Sequence, residues 1–575
     1  MLRRKITIVT AGLFLLFLPF LFEYSTWGGV FIATILFSIL LVFRFFTANP
    51  CSITFNRTDV LAGLYLGYGL INLLVRSAET DPLLIFQWIS VFLLYCYVKT
   101  ETGPGRKIWI YTLILSGVVQ AIYGILQQNY FLETNHPLFE ATGSFPNPGP
   151  YGGYLAICGI SAFQLLYSDW NTLKAKRIFL LLALAFIGYG LWLSDSRAGW
   201  IAFGFPALWI LLHGSVFVRR YRAYVYPAVI LICAAGLFYL YGYRPASASG
   251  RLNIWKVCTT MIAEKPLFGH GPGSFSVQYM PAQARFLEQH PEYAESLSGG
   301  NNLYAFNEFI HLACEQGIIG LLLFLILLIS AFFYRQRDDS LAENMRYGLA
   351  ALLFFSCFSY PAGQYPLLLF FPFFLGIVSD RTTVFSVPLR HPTRVRVAVV
   401  FACFLLVGAT LYTWRVCARF DRLLNSSLRT DDPAVGQELS RLYPGVRRVR
   451  ELVLPYGKVL YRQGRYAEAV PVLERSSDCF ASVQTLTDLG DAYLETGHMA
   501  KAEQCFSRAA GMAPLLIIPK YKLFQLYIST NRSEKALLYA EEIGGMKVKV
   551  INSVTIRIKS EIRSYLDETL NHESK

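Results

Sequence analysis

Residues 178–213 read IFLLLALAFIGYGLWLSDSRAGWIAFGFPALWILLH. Two apolar runs flank a short polar turn, and each approaches the roughly 20 residues that cross a bilayer core. A hairpin this tight places Arg197, in its turn, at a membrane face. Runs of the same kind recur between residues 6 and 415, giving about 12–13 spans. The fold class read from them is all-α, a polytopic helical membrane protein with a large outer loop and a C-terminal helical repeat domain. A transmembrane barrel is excluded, because its strands would alternate in polarity where these runs are continuous.

Composition agrees. The chain has 575 residues, 54% of them hydrophobic, and a mean hydropathy of +0.40. The opening MLRRK and the apolar run after it lack a small-residue cleavage site before the next span, so they read as a first anchor and not a signal peptide. The cysteines from Cys51 to Cys403 lie in or beside spans without ligand spacing and read as small hydrophobes. No metal or cofactor motif is expected.

A net charge of +14 is compatible with a nucleic-acid partner, but the positions of the charges decide otherwise. Alternate connections are basic, with Arg3, Arg4 and Lys5, then Lys174, Lys176 and Arg177, then Arg219, Arg220 and Arg222, then Arg335 and Arg337, and finally Arg381 and Arg390. Connections on the other side hold Arg76, beside Glu79 and Asp81, and Arg197. The positive-inside rule makes the first set cytoplasmic. Loops 128–149 and 242–310 and everything after residue 415 then fall outside, which in a bacterium with two membranes is the periplasm. The expected domains are a membrane domain over 1–415, with its outer loop at 242–310, and a periplasmic repeat domain over 416–575. No nucleic-acid partner is expected.

Past residue 415 the polarity becomes ordinary and an internal repeat begins. YRQGRYAEAVPVLERS (461–476) recurs as LETGHMAKAEQCFSRA (494–509) and, more faintly, as ISTNRSEKALLYAEEI (528–543). The aligned turn residues Gly464, Gly497 and Asn531 follow the tetratricopeptide period. Such repeats stack helix pairs into a binding surface, so a protein partner is expected there. Cys479 and Cys505 fall in neighbouring repeats, where an oxidising compartment would allow them to pair.

The chemistry-bearing residues cluster between the last long spans. Asn307, Glu308, His311 and Glu315 open a helix that becomes apolar within a turn or two. Ionisable groups inside a membrane helix cost roughly 2.5–3.5 kcal/mol each on insertion scales, so they are kept for a use or a partner. The i, i+3 and i+7 spacing of Glu308, His311 and Glu315 puts them on one stripe. A carboxylate near an imidazole can take a proton from a hydroxyl; the structural reading is mutual satisfaction inside a bundle. HLACE is not a HExxH metal site.

Arg197 reads either as a snorkelling interfacial arginine, or one paired with Asp195, or as a fork for phosphate oxygens. Arg251 and Lys256 lie on GRLNIWKVCTTMIAEKP, an amphipathic helix with Trp255 as interfacial anchor. The GHGPGSF that follows is a turn. Asn147, in ATGSFPNPGPYGG, reads either as part of a rigid turn or as a wall of the same site.

Taken in order, TGSFPNP, SDSRAGW, RLNIW with GHGPGSF, and NEFIHLACEQGIIG resemble the superfamily of O-antigen ligases, O-antigen polymerases and bacterial O-oligosaccharyltransferases, over roughly residues 60–380. That resemblance implies a glycosyltransferase of the bacterial inner membrane that needs no metal, nucleotide sugar or other cofactor. It would move a glycan from an undecaprenyl-diphosphate carrier to a hydroxyl of lipid A core, of a growing glycan or of a protein. It implies that Arg197 and Arg251 hold the diphosphate and that Asn307 matches the asparagine of the family's His-Asn pair. The histidine position of that pair is Phe306 here, leaving Glu308 or His311 as the nearest groups to act on the acceptor. Gly149 stands where a second asparagine is common. On this reading Asn147, Lys256 and Glu315 complete substrate binding. The alternatives are a polymerase, a lipid-linked glycan transporter and a membrane-anchored repeat scaffold.

Overall fold

The computed structural model describes residues 2–20, 26–47, 52–76, 81–101, 106–168, 173–243, 245–297, 301–333, 340–379, 382–429, 432–546 and 552–573. Cys51, Glu79, Arg335, Arg337 and Arg381 lie outside them. The chain forms two compact units. One comprises Met1–Val75, Pro82–Arg244 and Phe306–Trp414; the other comprises Arg76–Asp81, Pro245–Ala305 and Arg415–Lys575.

The first unit is a polytopic helical bundle. Among the described residues, eight helices are long and apolar enough to cross a membrane: Trp27–Phe46, Arg57–Arg76, Pro82–Thr100, Lys107–Gln128, Lys174–Leu193, Arg222–Tyr243, Glu308–Phe332 and Pro392–Ser427. Its centre is a different helix, Pro148–Ser168, surrounded by Lys107–Gln128, Lys174–Leu193, Arg197–Gly214 and Ser340–Ser356. Nearly every side chain of this central helix is buried. A helix shielded by protein on all sides has no lipid to face, so it can be rich in glycine and hydroxyl groups without penalty. Two of its polar groups are paired within the bundle: the Tyr154 hydroxyl with Ser116 at 2.7 Å, and the Ser161 carbonyl with the Asn344 amide at 3.0 Å.

A short antiparallel ribbon of Ser52–Asn56 with Thr383–Pro388 departs from the purely helical expectation. Loop 128–147 is folded onto the bundle by two buried amides. Gln127 donates to the carbonyls of Glu133 and Gly143, each at 3.0 Å, and accepts from the Thr142 amide. Gln120 accepts from both the amide and the hydroxyl of Ser144.

The second unit contains the repeats. Three helix pairs follow one another: Arg450–Arg462 with Tyr466–Cys479, Val483–Glu495 with Met499–Met512, and Ile517–Ser529 with Ser533–Gly545. The final helix, Ser553–Glu573, packs on the last of them. Gly464, Gly497 and Asn531 each make the tight turn within a pair, with φ of +70°, +80° and +54°. Glycine and asparagine are the residues that tolerate this left-handed conformation, which is why the sequence repeat shows most clearly at these three positions. Cys479 and Cys505 are both free thiols. This unit also takes in the long loop, whose helices are Pro245–Glu264 and Phe275–Gln289.

Candidate functional site

Arg197 is the first residue of helix Arg197–Gly214. The turn before it is held from within. Ser194 Oγ donates to the Leu191 carbonyl, Asp195 takes a φ of +49°, and Ser196 Oγ caps the helix by accepting from the Gly199 amide. The guanidinium donates to the Leu240 carbonyl at 2.9 Å and is half-buried. The turn rests on the start of the central helix, where Ser196 Oγ donates to the Gly149 carbonyl. Gly152 is what permits this approach: a Cβ there would lie 2.4 Å from Ser196 Cβ. One residue on, a Cβ at Gly153 would lie 2.4 Å from the Phe355 ring. The first turn of the central helix is therefore wedged between the Arg197 turn and the end of helix Ser340–Ser356.

The polar stripe begins just beyond that second contact. Asn307 caps helix Glu308–Phe333, its Oδ1 accepting from the Phe309 and Ile310 amides, while its Nδ2 donates to the Cys357 carbonyl at 3.0 Å. Glu308 accepts from the Ala362 amide at 3.2 Å. His311 Nε2 lies 3.5 Å from Glu315 Oε1, so two members of the stripe meet one turn apart on the helix. Phe306 turns its ring edge-on to Tyr360, with φ at +54°. Asn147 accepts from the Gly149 amide ahead of Pro148, an N-terminal cap for the central helix.

Three features of this region are missing from the sequence reading. The stripe helix is broken at Gly317, with φ 68° and ψ −173°, a conformation open essentially to glycine alone. The break releases the Gln316 carbonyl, which accepts from the Tyr68 hydroxyl at 2.5 Å. Tyr65 reaches the Gln316 side chain from the same helix, Arg57–Arg76. Irregular backbone at membrane depth persists only where protein or a polar cavity satisfies it, and Tyr68 does that here. Tyr65, Tyr68 and Asn72 stand at i, i+3 and i+7 along an apolar helix, so the spacing did contain a signal.

Arg251 and Lys256 belong to the second unit, on helix Pro245–Glu264. Lys256 donates to the Tyr293 hydroxyl at 2.9 Å, with its ammonium 4.1 Å from the centre of that ring. Trp255 spends its indole N–H on the Ala305 carbonyl at 2.8 Å. His270 in the glycine-rich turn meets the Met261 carbonyl at 3.0 Å, and burial pushes its imidazole below the ordinary range.

The segment from the Gly152 wedge to just past the Gly317 break, residues 152–325, matches the O-antigen ligase family. The chain carries an O-antigen ligase domain. Arg197, Arg251, Asn307, Glu308, His311 and Glu315 all lie within this ligase domain, and Asn147 just before it. Residues 483–514 match the tetratricopeptide repeat. A curated relative, the exopolysaccharide production protein ExoQ of Rhizobium meliloti (strain 1021), is 30% identical over 138 residues. That alignment covers 23% of this chain and 31% of the relative, so the chain spans about a third of the relative's length.

Proposed function

We propose that this protein is a membrane glycosyltransferase that moves a glycan from an undecaprenyl-diphosphate carrier to an acceptor hydroxyl. The observation that carries the reading is the extent of the ligase domain, which contains both the Arg197 turn and the His311–Glu315 pair on its broken helix. In the reaction the acceptor oxygen bonds to the sugar's anomeric carbon while the bond from that carbon to the diphosphate oxygen breaks. The carrier diphosphate leaves, and the acceptor proton must be taken up.

Arg197 is suited to the leaving group, since its planar fork can hold two oxygens of a phosphate at once. Arg251 is proposed as a further anion contact. Charge developing on the departing diphosphate would be stabilised by guanidinium groups fixed before the reaction begins. Glu308 or His311 would orient or deprotonate the acceptor, with Glu315 holding the imidazole. Asn307, as a cap that also reaches Cys357, would set the position of this stripe. The proposed setting is a bacterial inner membrane with the repeat domain in the periplasm. A growing glycan as acceptor, making the enzyme a polymerase, is favoured over the other acceptors by the relative's link to exopolysaccharide production.

The test is glycan transfer in a strain carrying only variant protein. Arg197→Ala should abolish transfer while the protein remains in the membrane, and Arg197→Lys should remain poor because a point charge does not reproduce the fork. Wild-type transfer by Arg197→Ala would reject the reading.

A further inference from the structure

The second unit joins segments far apart in sequence. Helix Phe275–Gln289 of the long loop lies against Met499–Met512 and Tyr466–Cys479, the second helices of two consecutive repeats. Its buried face is Phe275, Tyr279, Met280, Phe286 and Leu287, with Gln283 fully buried among them. The Gln283 amide nitrogen donates to the Leu297 carbonyl at 3.2 Å, on the loop's own return, and to the Met512 carbonyl at 2.8 Å, at the end of a repeat helix. Two more ties follow the array. Arg450 donates to the Gly273 carbonyl at 3.2 Å, and the Val483 amide donates to Asn301 Oδ1 at 3.1 Å. The helix carrying Arg251 and Lys256 is fastened in turn to the loop helix and its return, through Glu264 with Arg285 at 2.8 Å and Asn253 with Ser296 at 2.8 Å.

We propose that the repeat array is the platform that positions the Arg251 helix, with Gln283 as the positioning residue, a role that rests on reading Arg251 as an anion contact. Two short loop helices alone bury too little surface to hold one arrangement in water. The repeats supply the missing face, and the buried Gln283 amide sets the register, because any slip would leave the Met512 carbonyl and the amide nitrogen unpaired.

The full-length protein in nanodiscs provides the test, with undecaprenyl diphosphate as the bound probe. A Cβ at Gly511 would lie 3.8 Å from Ala284 Cβ, the separation typical of a disulfide. Ala284→Cys with Gly511→Cys should therefore link under mild oxidation, seen as joined peptides by mass spectrometry, and the linked protein should bind the probe as the wild type does. Gln283→Leu should weaken binding on the order of tenfold. It should add nothing to Arg251→Ala, and it should recover when the 284–511 link is closed in the same chain. Failure of the link to form, wild-type binding by Gln283→Leu, or no recovery on linking would each overturn the proposal. Wild-type binding by Arg251→Ala would overturn it by removing the anion contact itself; link formation, read independently, tells that failure apart from an undocked loop.

Discussion

Replacing Gly152 by alanine should disable the site without touching any residue proposed to act in it. The new Cβ would lie 2.4 Å from Ser196 Cβ and 2.6 Å from Ser194 Oγ. Carbon atoms rest at about 3.5–4.0 Å, so the overlap is more than about 1 Å. No rotamer change relieves it, because a Cβ is fixed by its own backbone. Ser196 is also committed as a helix cap, and Asp195 already sits at φ +49°. The central helix has little room to retreat either, since Gly153, about 100° further round it, is closed against Phe355. The turn carrying Arg197 must shift by about 1 Å. Overpacking of this kind costs about 1–3 kcal/mol, and a 1 Å misplacement of a catalytic group costs on the order of 100-fold in rate. Gly188→Ala is the control, because nothing lies within 4 Å of a Cβ there. Thermal unfolding in detergent and glycan transfer should both fall for Gly152→Ala and stay level for Gly188→Ala. A Gly152→Ala protein with wild-type melting and transfer would refute the wedge.

Further outcomes follow from the same contacts. Tyr68→Phe leaves the Gln316 carbonyl without its 2.5 Å donor and should lower stability by about 1–3 kcal/mol, read as a lower melting temperature; no change would mean another group serves that carbonyl. Gly317→Ala forces a side chain into a conformation that costs about 1–3 kcal/mol, so transfer should drop even where membrane levels hold. In the repeats, Asp488 is buried with Oδ2 unbonded, and burial raises its pKa above the usual carboxylate range. The folded state then holds this proton more tightly than the unfolded state. The resulting contribution is present below the ordinary value of about 4 and is lost as pH rises through the raised one. Asp488→Asn should accordingly raise the melting temperature at pH 7 and make it less dependent on pH between 4 and 7; an equal or lower value at pH 7 would contradict this.

Much of the architecture could be read locally. Gly464, Gly497 and Asn531 marked the repeat because each must adopt a left-handed turn, a demand imposed by the residue's own backbone. The His311–Glu315 pair was readable because i+4 neighbours on a helix meet whatever surrounds them. Arg197 was conspicuous as a cation at the apex of a hairpin. Asn307 and Asn147 were harder cases. Each was singled out for chemistry, and the structure finds each capping a helix, since an exposed ligand and an N-cap draw on the same residue types.

The chain's own order, then, determined the membrane helices, the repeat and the polar stripe, because hydrophobic period and turn chemistry act over a few residues. The tertiary structure decided which helix lies at the centre, that Tyr68 closes the Gln316 break from 248 residues away, and that Gln283 reaches Met512 across 229. It also grouped the long loop with the repeats. Pairings at that separation depend on which buried faces find each other when the chain collapses, and a hydrogen-bonding side chain carries no local mark of its distant partner.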